Sequence, residues 1–150
     1  MSTNYLRFLT TSQVKRLYDT HITRVQPTQP VYLESAVYSP QQHKNYGEND
    51  LFRLAGVLAE KIILNHAYQD GNKRVALLAA DMFLKINGYQ LQKKLFTSDE
   101  LDQQLQSAHI AVATNQWDAE QLGAFYRSVA TPIPRITSEI QRYIDKSEQS

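Results

Sequence analysis

The sequence predicts an all-α fold, a compact helical bundle around one buried central helix, with at most one small β-hairpin or flap. Three observations predict it. Apolar residues recur at helical spacing through most of the chain, Pro and Gly fall between those runs, and the run from Val75 to Ile86 is apolar on nearly every side. The 150 residues suffice for one domain and one core. Hydrophobic residues make up 42% and charged residues 21%, which excludes wholesale disorder. Lys plus Arg number 16 and Asp plus Glu 15, a formal net charge of +1 that argues against a nucleic-acid or anionic-membrane coat. With no cysteine there is no disulfide framework, thiol nucleophile or Cys-built zinc site. No apolar stretch is long enough to span a bilayer, and Met1 to Tyr5 lack a basic region followed by an apolar run. The expectation is a soluble cytoplasmic domain.

Taken in order, Val14, Leu17, Tyr18, Ile22 and Val25 form the stripe of a first helix, with Thr11 or Ser12 as N-cap. Pro27 and Pro30 interrupt it. A short helix covers Leu33 to Tyr38, and polar Ser39 to Asn49, with Pro40 and Gly47, reads as an exposed loop or flap. Asp50 caps a helix through about Asn65, carrying Leu51, Leu54, Ala55, Leu58 and Ile62 on one face. The central helix begins near Asn72 and stops at Asn87-Gly88. Tyr89 to Phe96 is read as a short strand pairing with Tyr5 to Leu9. Ser98 or Asp99 caps a helix through about Ala113, and Asp118 opens another with Leu122, Phe125, Tyr126 and Val129 inward. Pro132 and Pro134 precede a last amphipathic helix with Ile136, Ile140, Tyr143 and Ile144, and Lys146 to Ser150 is expected to fray.

Chemistry concentrates between the two most apolar helices, in His66-Ala67-Tyr68-Gln69-Asp70-Gly71-Asn72-Lys73-Arg74. This segment lies just before the start of a buried helix, where free N–H groups and the positive end of the helix dipole form an anion site. Lys73 and Arg74 in that first turn oppose the dipole unless a negative ligand sits there. The imidazole of His66 can take a proton from an attacking hydroxyl. Asp70 is a hard oxygen ligand suited to Mg²⁺ bridging nucleotide phosphates. Gly71 lets the backbone approach a phosphate, Asn72 can donate an amide hydrogen bond to it, Arg74 can clamp it and Lys73 adds a point charge. An anion cradle beside a base is what phosphoryl or nucleotidyl transfer requires.

These nine residues resemble the active-site motif of the Fic/Doc superfamily, His-x-Phe-x-Asp/Glu-Gly/Ala-Asn-Gly/Lys-Arg. The segments Val75-Ala-Leu-Leu-Ala-Ala, Phe83-Leu-Lys-Ile-Asn-Gly-Tyr89, Leu17-Tyr18-Asp19, Ile22-Thr23-Arg24 and Leu33-Glu34-Ser35-Ala36 are similar to the Doc (death-on-curing) branch. The likeness runs over residues 5–130, so residues 1–131 are read as the catalytic domain and 132–150 as a C-terminal helical extension and tail. The resemblance implies a small helical fold that uses ATP and Mg²⁺ to modify a target protein hydroxyl, an elongation factor in Doc-like toxins. It implies His66 as catalytic base, Asp70 as metal ligand, and Gly71, Asn72, Lys73 and Arg74 as nucleotide-binding residues, with a flap between Pro30 and Asn49 holding the target. Members that transfer AMP usually carry Gly where Lys73 stands, whereas Doc-type members carry Lys and resemble kinases that move the γ-phosphate; Lys73 therefore favours phosphate over AMP transfer.

The chain also departs from the pattern. Tyr68 replaces Phe, which a buried Tyr can do if its hydroxyl finds a partner. Leu77 stands where many AMP-transferring members have a second Arg, and no Ser/Thr-x-x-x-Glu-Gly/Asn inhibitory pattern occurs, Lys44 preceding Glu48-Asn49 at the key position. Both fit an enzyme restrained, if at all, by a separate antitoxin-like partner. Plainer readings stand beside these: His66 to Arg74 as a polar connection, a silent nucleotide- or partner-binding module, His21 as half-buried, His43 as a solvated loop residue, His109 without neighbouring chemistry, Trp117 as a packing anchor, and Lys93-Lys94 as a solvated face. Tyr32, Tyr38 and Tyr46 are read as stacking on adenine or a target peptide, or simply as packing or exposed tyrosines.

Overall fold

From Val75 to Leu84 every residue is buried, so the predicted central helix is the axis around which the rest is laid. The computed structural model describes residues 5–149; Met1 to Asn4, part of the amino-terminal reading above, and Ser150 lie outside them. The elements are β1 (Arg7–Phe8), α1 (Thr11–His21), α2 (Pro30–Asn45), α3 (Leu51–Asn65), α4 (Asn72–Lys85), β2 (Tyr89–Gln90), α5 (Glu100–Ala113), α6 (Ala119–Val129), β3 (Thr131–Pro132), α7 (Ser138–Lys146) and β4 (Glu148–Gln149). Among the described residues the fold is all-α but for two antiparallel pairs of two residues each, β1 with β4 and β2 with β3. No helix is long and apolar enough to cross a membrane among the described residues.

Helix α3 packs on α2, α4 and α6, while α1, α5 and α7 also touch α4. The α3–α6 crossing is close because both helices present glycine there. A Cβ at Gly56 would lie 2.4 Å from the Ala119 carbonyl oxygen and 2.9 Å from the Gly123 nitrogen. One acid sits within the central helix: Asp81 is paired with Lys85 Nζ at 2.7 Å and accepts the Leu91 N–H at 2.9 Å. Burial pushes its carboxyl pKa up, and those partners oppose that.

The helix boundaries expected at Asp50, Asn72, Asp99 and Asp118 agree with the structure. Elsewhere the chain departs from the reading. The cap of α1 is Thr10, in a reciprocal capping box with Gln13, and the helix ends at His21, leaving Val25 exposed. His21 itself is exposed, near Glu139 at 3.8 Å.

The expected loop from Ser39 is a correction: α2 runs on through Pro40 to Asn45. A proline inside a helix leaves the carbonyl four residues back without its donor. Here that carbonyl belongs to Ala36, and the Ser39 hydroxyl donates to it at 2.7 Å. Ser39 and Pro40 are buried, so packing holds the turn that sequence reads as a break. His43 therefore lies on a helix, its Nδ1 on the Ser39 carbonyl at 2.9 Å.

The strand pairing is also corrected. Tyr89–Gln90 pairs with Thr131–Pro132 instead of the amino-terminal segment. Asn87 joins that segment through its carboxamide alone, accepting the Arg7 N–H at 3.0 Å and donating to the Arg7 carbonyl at 2.9 Å. The tail does not fray up to Gln149, because Glu148–Gln149 pairs with Arg7–Phe8. Helix α7 is seated by Ile140 and Tyr143, with Gln13 Nε2 donating to the Tyr143 carbonyl at 2.9 Å.

The Gly56 contact yields a measurable expectation. Gly56→Ala should destabilise the protein by ~2 kcal/mol or more in urea unfolding, although Ala is intrinsically the better helix former. An unchanged or higher midpoint would show that α3 and α6 separate freely.

Candidate active site

The segment from His66 to Arg74 connects the end of α3 to the start of α4. His66 is the C-cap of α3, in the left-handed region at φ 51°, an uncommon conformation for a residue with a side chain, and it is exposed. Ala67 is held to the segment before α2, its carbonyl accepting from Gln29 N–H at 2.9 Å and the Thr28 hydroxyl at 3.3 Å. Asn72 clips the loop from inside: its Oδ1 accepts the Tyr68 N–H at 3.0 Å and its Nδ2 donates to the Tyr68 carbonyl at 2.7 Å. One of the two Asn72 amide hydrogens is thus engaged in shaping the loop, a use the sequence does not disclose.

Tyr68 is buried, stacked flat on Tyr18 with centroids 3.8 Å apart and an interplanar angle of 2°. Its hydroxyl finds no hydrogen-bond partner, contrary to the condition set for a Tyr at this place, so the ring carries the contact. Burial, then the Asp19 charge, raise its pKa. Gly71 is the N-cap of α4 at φ 82°, and a Cβ there would lie 3.2 Å from the Tyr18 ring. That position needs glycine on both counts.

The start of α4 differs from the other helices. Thr10, Asp50, Asp99, Asp118 and Thr137 each cap a helix with a side-chain oxygen, and α2 begins with Pro30. Gly71 provides no such oxygen. The first amide of the helix bonded within it is that of Val75, to the Gly71 carbonyl at 2.9 Å. The amides of the first turn are left for water or a ligand. No acidic residue occupies that turn; Lys73 and Arg74 do, both exposed. The Asp70 carboxylate is exposed, with Oδ1 accepting the Gly71 N–H at 2.8 Å. Among the described residues no cluster of three or more His, Asp or Glu side chains forms a ready metal cage. A single carboxylate beside an anion cradle fits a magnesium ion that arrives with nucleotide phosphates.

Beside this end of α4 lies a cavity of about 290 Å³. Lys73 and Arg74 line it, and Leu77, Phe96 and Ile110 give it apolar walls. Ser98, Asp102, Gln106 and His109 supply polar atoms. The Arg74 guanidinium lies over the Phe96 ring, 5.1 Å from its centroid. Buried Asp102 shapes the wall by accepting the Phe96 and Ser98 N–H groups at 3.2 and 3.1 Å. The structure thus gathers Asp70, Gly71, Asn72, Lys73 and Arg74 at one helix end, with His66 exposed on the same short loop. Lys73 and Arg74 face the cavity; His66 and Asp70 do not line it.

His109 is a correction. It has neighbouring chemistry, being buried in the cavity wall with Nδ1 on the Leu105 carbonyl at 2.6 Å and Nε2 on the Tyr126 hydroxyl at 2.6 Å. A carbonyl only accepts, so Nδ1 carries the proton and Nε2 accepts from Tyr126. Burial pushes the imidazole pKa down to about 4. Burial likewise raises the Tyr126 hydroxyl, with the Asp81 charge adding to it. The cavity walls from α5 were not legible as a site; the signal available was Leu77, one turn below Arg74 and the same side of α4.

Residues 1–84 match the model of the Fic/DOC family, a span that includes the whole His66–Arg74 loop. The chain is also 38% identical over 95 residues to the Toxin Doc of Mycolicibacterium smegmatis (strain ATCC 700084 / mc(2)155), covering 61% of this chain and 68% of that one.

The buried imidazole sets a pH dependence. Unfolded, His109 binds a proton near pH 6.5; folded, it resists until about pH 4. The unfolded state therefore holds more protons across that window, and stability falls as pH drops through it, by up to ~3 kcal/mol. Chemical denaturation from pH 7 to 4 should show this loss, and His109→Gln should remove most of the His109 share of the slope. Equal slopes in the two proteins would rule out a neutral buried imidazole.

Proposed function

Because the chain belongs to the Fic/DOC family, whose model matches more than half of it, we propose that it transfers the γ-phosphate of ATP to a hydroxyl on a target protein. The observation that carries this reading is the uncapped start of α4, among the described residues the one helix start where unpaired amides, Gly71 and two cations coincide. That combination suits a phosphate chain. The amides and Arg74 bind and orient it, and Lys73 adds charge without needing a fixed geometry. The cavity beyond Arg74 and Phe96 has apolar walls and polar atoms suited to the nucleoside end.

In this reading the exposed His66 imidazole takes the proton of the target hydroxyl as its oxygen bonds to the γ-phosphorus. The bond from that phosphorus to the β–γ bridging oxygen breaks, and ADP leaves. Asp70 would hold Mg²⁺, which when bound neutralises phosphate charge. Lys73 supports phosphate over AMP transfer, since its side chain fills space that Gly would leave open along the backbone. Leu77 supports the same choice: it is 2% exposed in the cavity wall, where many AMP-transferring members place an arginine.

The likeness to a protein named Toxin Doc extends the proposal to biology. The chain is read as a toxin, restrained by a separate antitoxin, with a translation factor as the class of target. The lack of a Ser/Thr-x-x-x-Glu-Gly/Asn pattern supports restraint from outside the chain.

Incubation with γ-labelled ATP and a proteome extract should label a protein band, and intact-mass analysis should show one added phosphate. His66→Ala should cut the rate by roughly 10²–10⁴-fold while the variant still binds nucleotide. Label arriving only from α-labelled ATP would select AMP transfer. Nucleotide binding without any transfer would select a silent binding module.

A further inference from the structure

Between the Tyr68 and Asn72 ends of the carboxamide clip, the loop bulges out through Gln69, Asp70 and Gly71. The Gly71 N–H bonds only to the adjacent Asp70 carboxylate, a local contact that ties the bulge to nothing else. Val75 N–H bonds to the Gly71 carbonyl as α4 begins, and among the described residues one further bond reaches the bulge from a distant element: the Tyr18 hydroxyl donates to the Asp70 carbonyl at 2.9 Å, across 52 residues of sequence. The same side chain stacks on Tyr68 and stands 3.2 Å from where a Gly71 Cβ would be. Tyr18 is itself fixed. It is 3% exposed on α1, a helix whose start is locked by the Thr10–Gln13 capping box and tied to α7 through Gln13.

We infer that Tyr18 is a positioning residue for metal-nucleotide binding: its hydroxyl holds the Asp70 backbone so that the exposed carboxylate is set for Mg²⁺ before nucleotide arrives. The inference rests on the ATP reading above for its ligand. A carboxylate on an unanchored bulge would pay an ordering cost on binding the cation, and a bond to its own carbonyl removes much of that cost in advance. The neighbouring hydroxyl of Tyr68, buried with no partner, cannot do this. The ring of Tyr18 packs the loop, while its hydroxyl sets one atom group, so the two functions separate in a Tyr18→Phe variant.

Wild-type and Tyr18→Phe protein are titrated calorimetrically with ATP, once with Mg²⁺ and once with EDTA. In parallel, melting and hydrogen exchange at the Tyr68 amide are followed without nucleotide. Expected for Tyr18→Phe are an Mg-ATP affinity lowered roughly five- to tenfold, the magnitude of one hydrogen bond, and an ATP affinity in EDTA that stays within about twofold. Exchange at Tyr68 should quicken several-fold, and the melting curves should lie within a few degrees. A merely structural hydroxyl would weaken binding equally in both buffers or lower the melt alone, and either result overturns the inference. So does unchanged exchange at Tyr68. Failure of wild-type protein to bind ATP in either buffer would sink the proposed function, and with it the ligand named here. That is read from the wild-type arm alone and so is not confused with a failure of Tyr18.

Discussion

A helix buried along its whole length has to surface at its ends, and its unpaired backbone groups surface with it. In α4 the side chains from Val75 to Leu84 are committed to the core, so the first turn is the place where the helix meets solvent with polar groups unspent. Five of the other described helices close that end with a Thr or Asp oxygen, and α2 begins with Pro30. Here Gly71 leaves it open, and Lys73 and Arg74 add positive charge to an end already positive. Every other feature of the candidate site is arranged around that uncompensated end.

The loop before it is short and is shaped from three directions. Asn72 folds it on itself through Tyr68, the Ala67 carbonyl ties it to the approach to α2, and Tyr18 reaches its apex from α1. His66 and Asp70 are left exposed by this arrangement rather than drawn into packing. The groups that shape the loop are thus largely distinct from those proposed to carry its chemistry. Asn72 is the exception, shaping the loop with one amide hydrogen and leaving the other for the proposed ligand.

Much of this was legible beforehand. The starts of α3, α4, α5 and α6 followed from capping residues and helical periodicity, both set by neighbours within a turn. The polar run from His66 to Arg74 stood out because it breaks local rules at the mouth of an apolar helix. The failures share one cause. Pro40 inside α2, the pairing of β1 with β4, and the role of His109 each depend on a partner that no local pattern names: the Ser39 hydroxyl, the opposite terminus of the chain, and Tyr126 on the next helix.

By itself, the order of amino acids determined the family, the helical class, the central helix and the identities of the residues at its open end, because those rest on spacing within one helix or one loop. Only the tertiary structure decided that α2 continues where a loop was read. The same is true of the cavity that α5 completes beside Arg74, and of Tyr18 bracing the Asp70 carbonyl. Those outcomes depend on which distant atoms arrive within bonding distance once the core has closed, and hydrophobic burial, being non-directional, leaves no mark of them in the sequence.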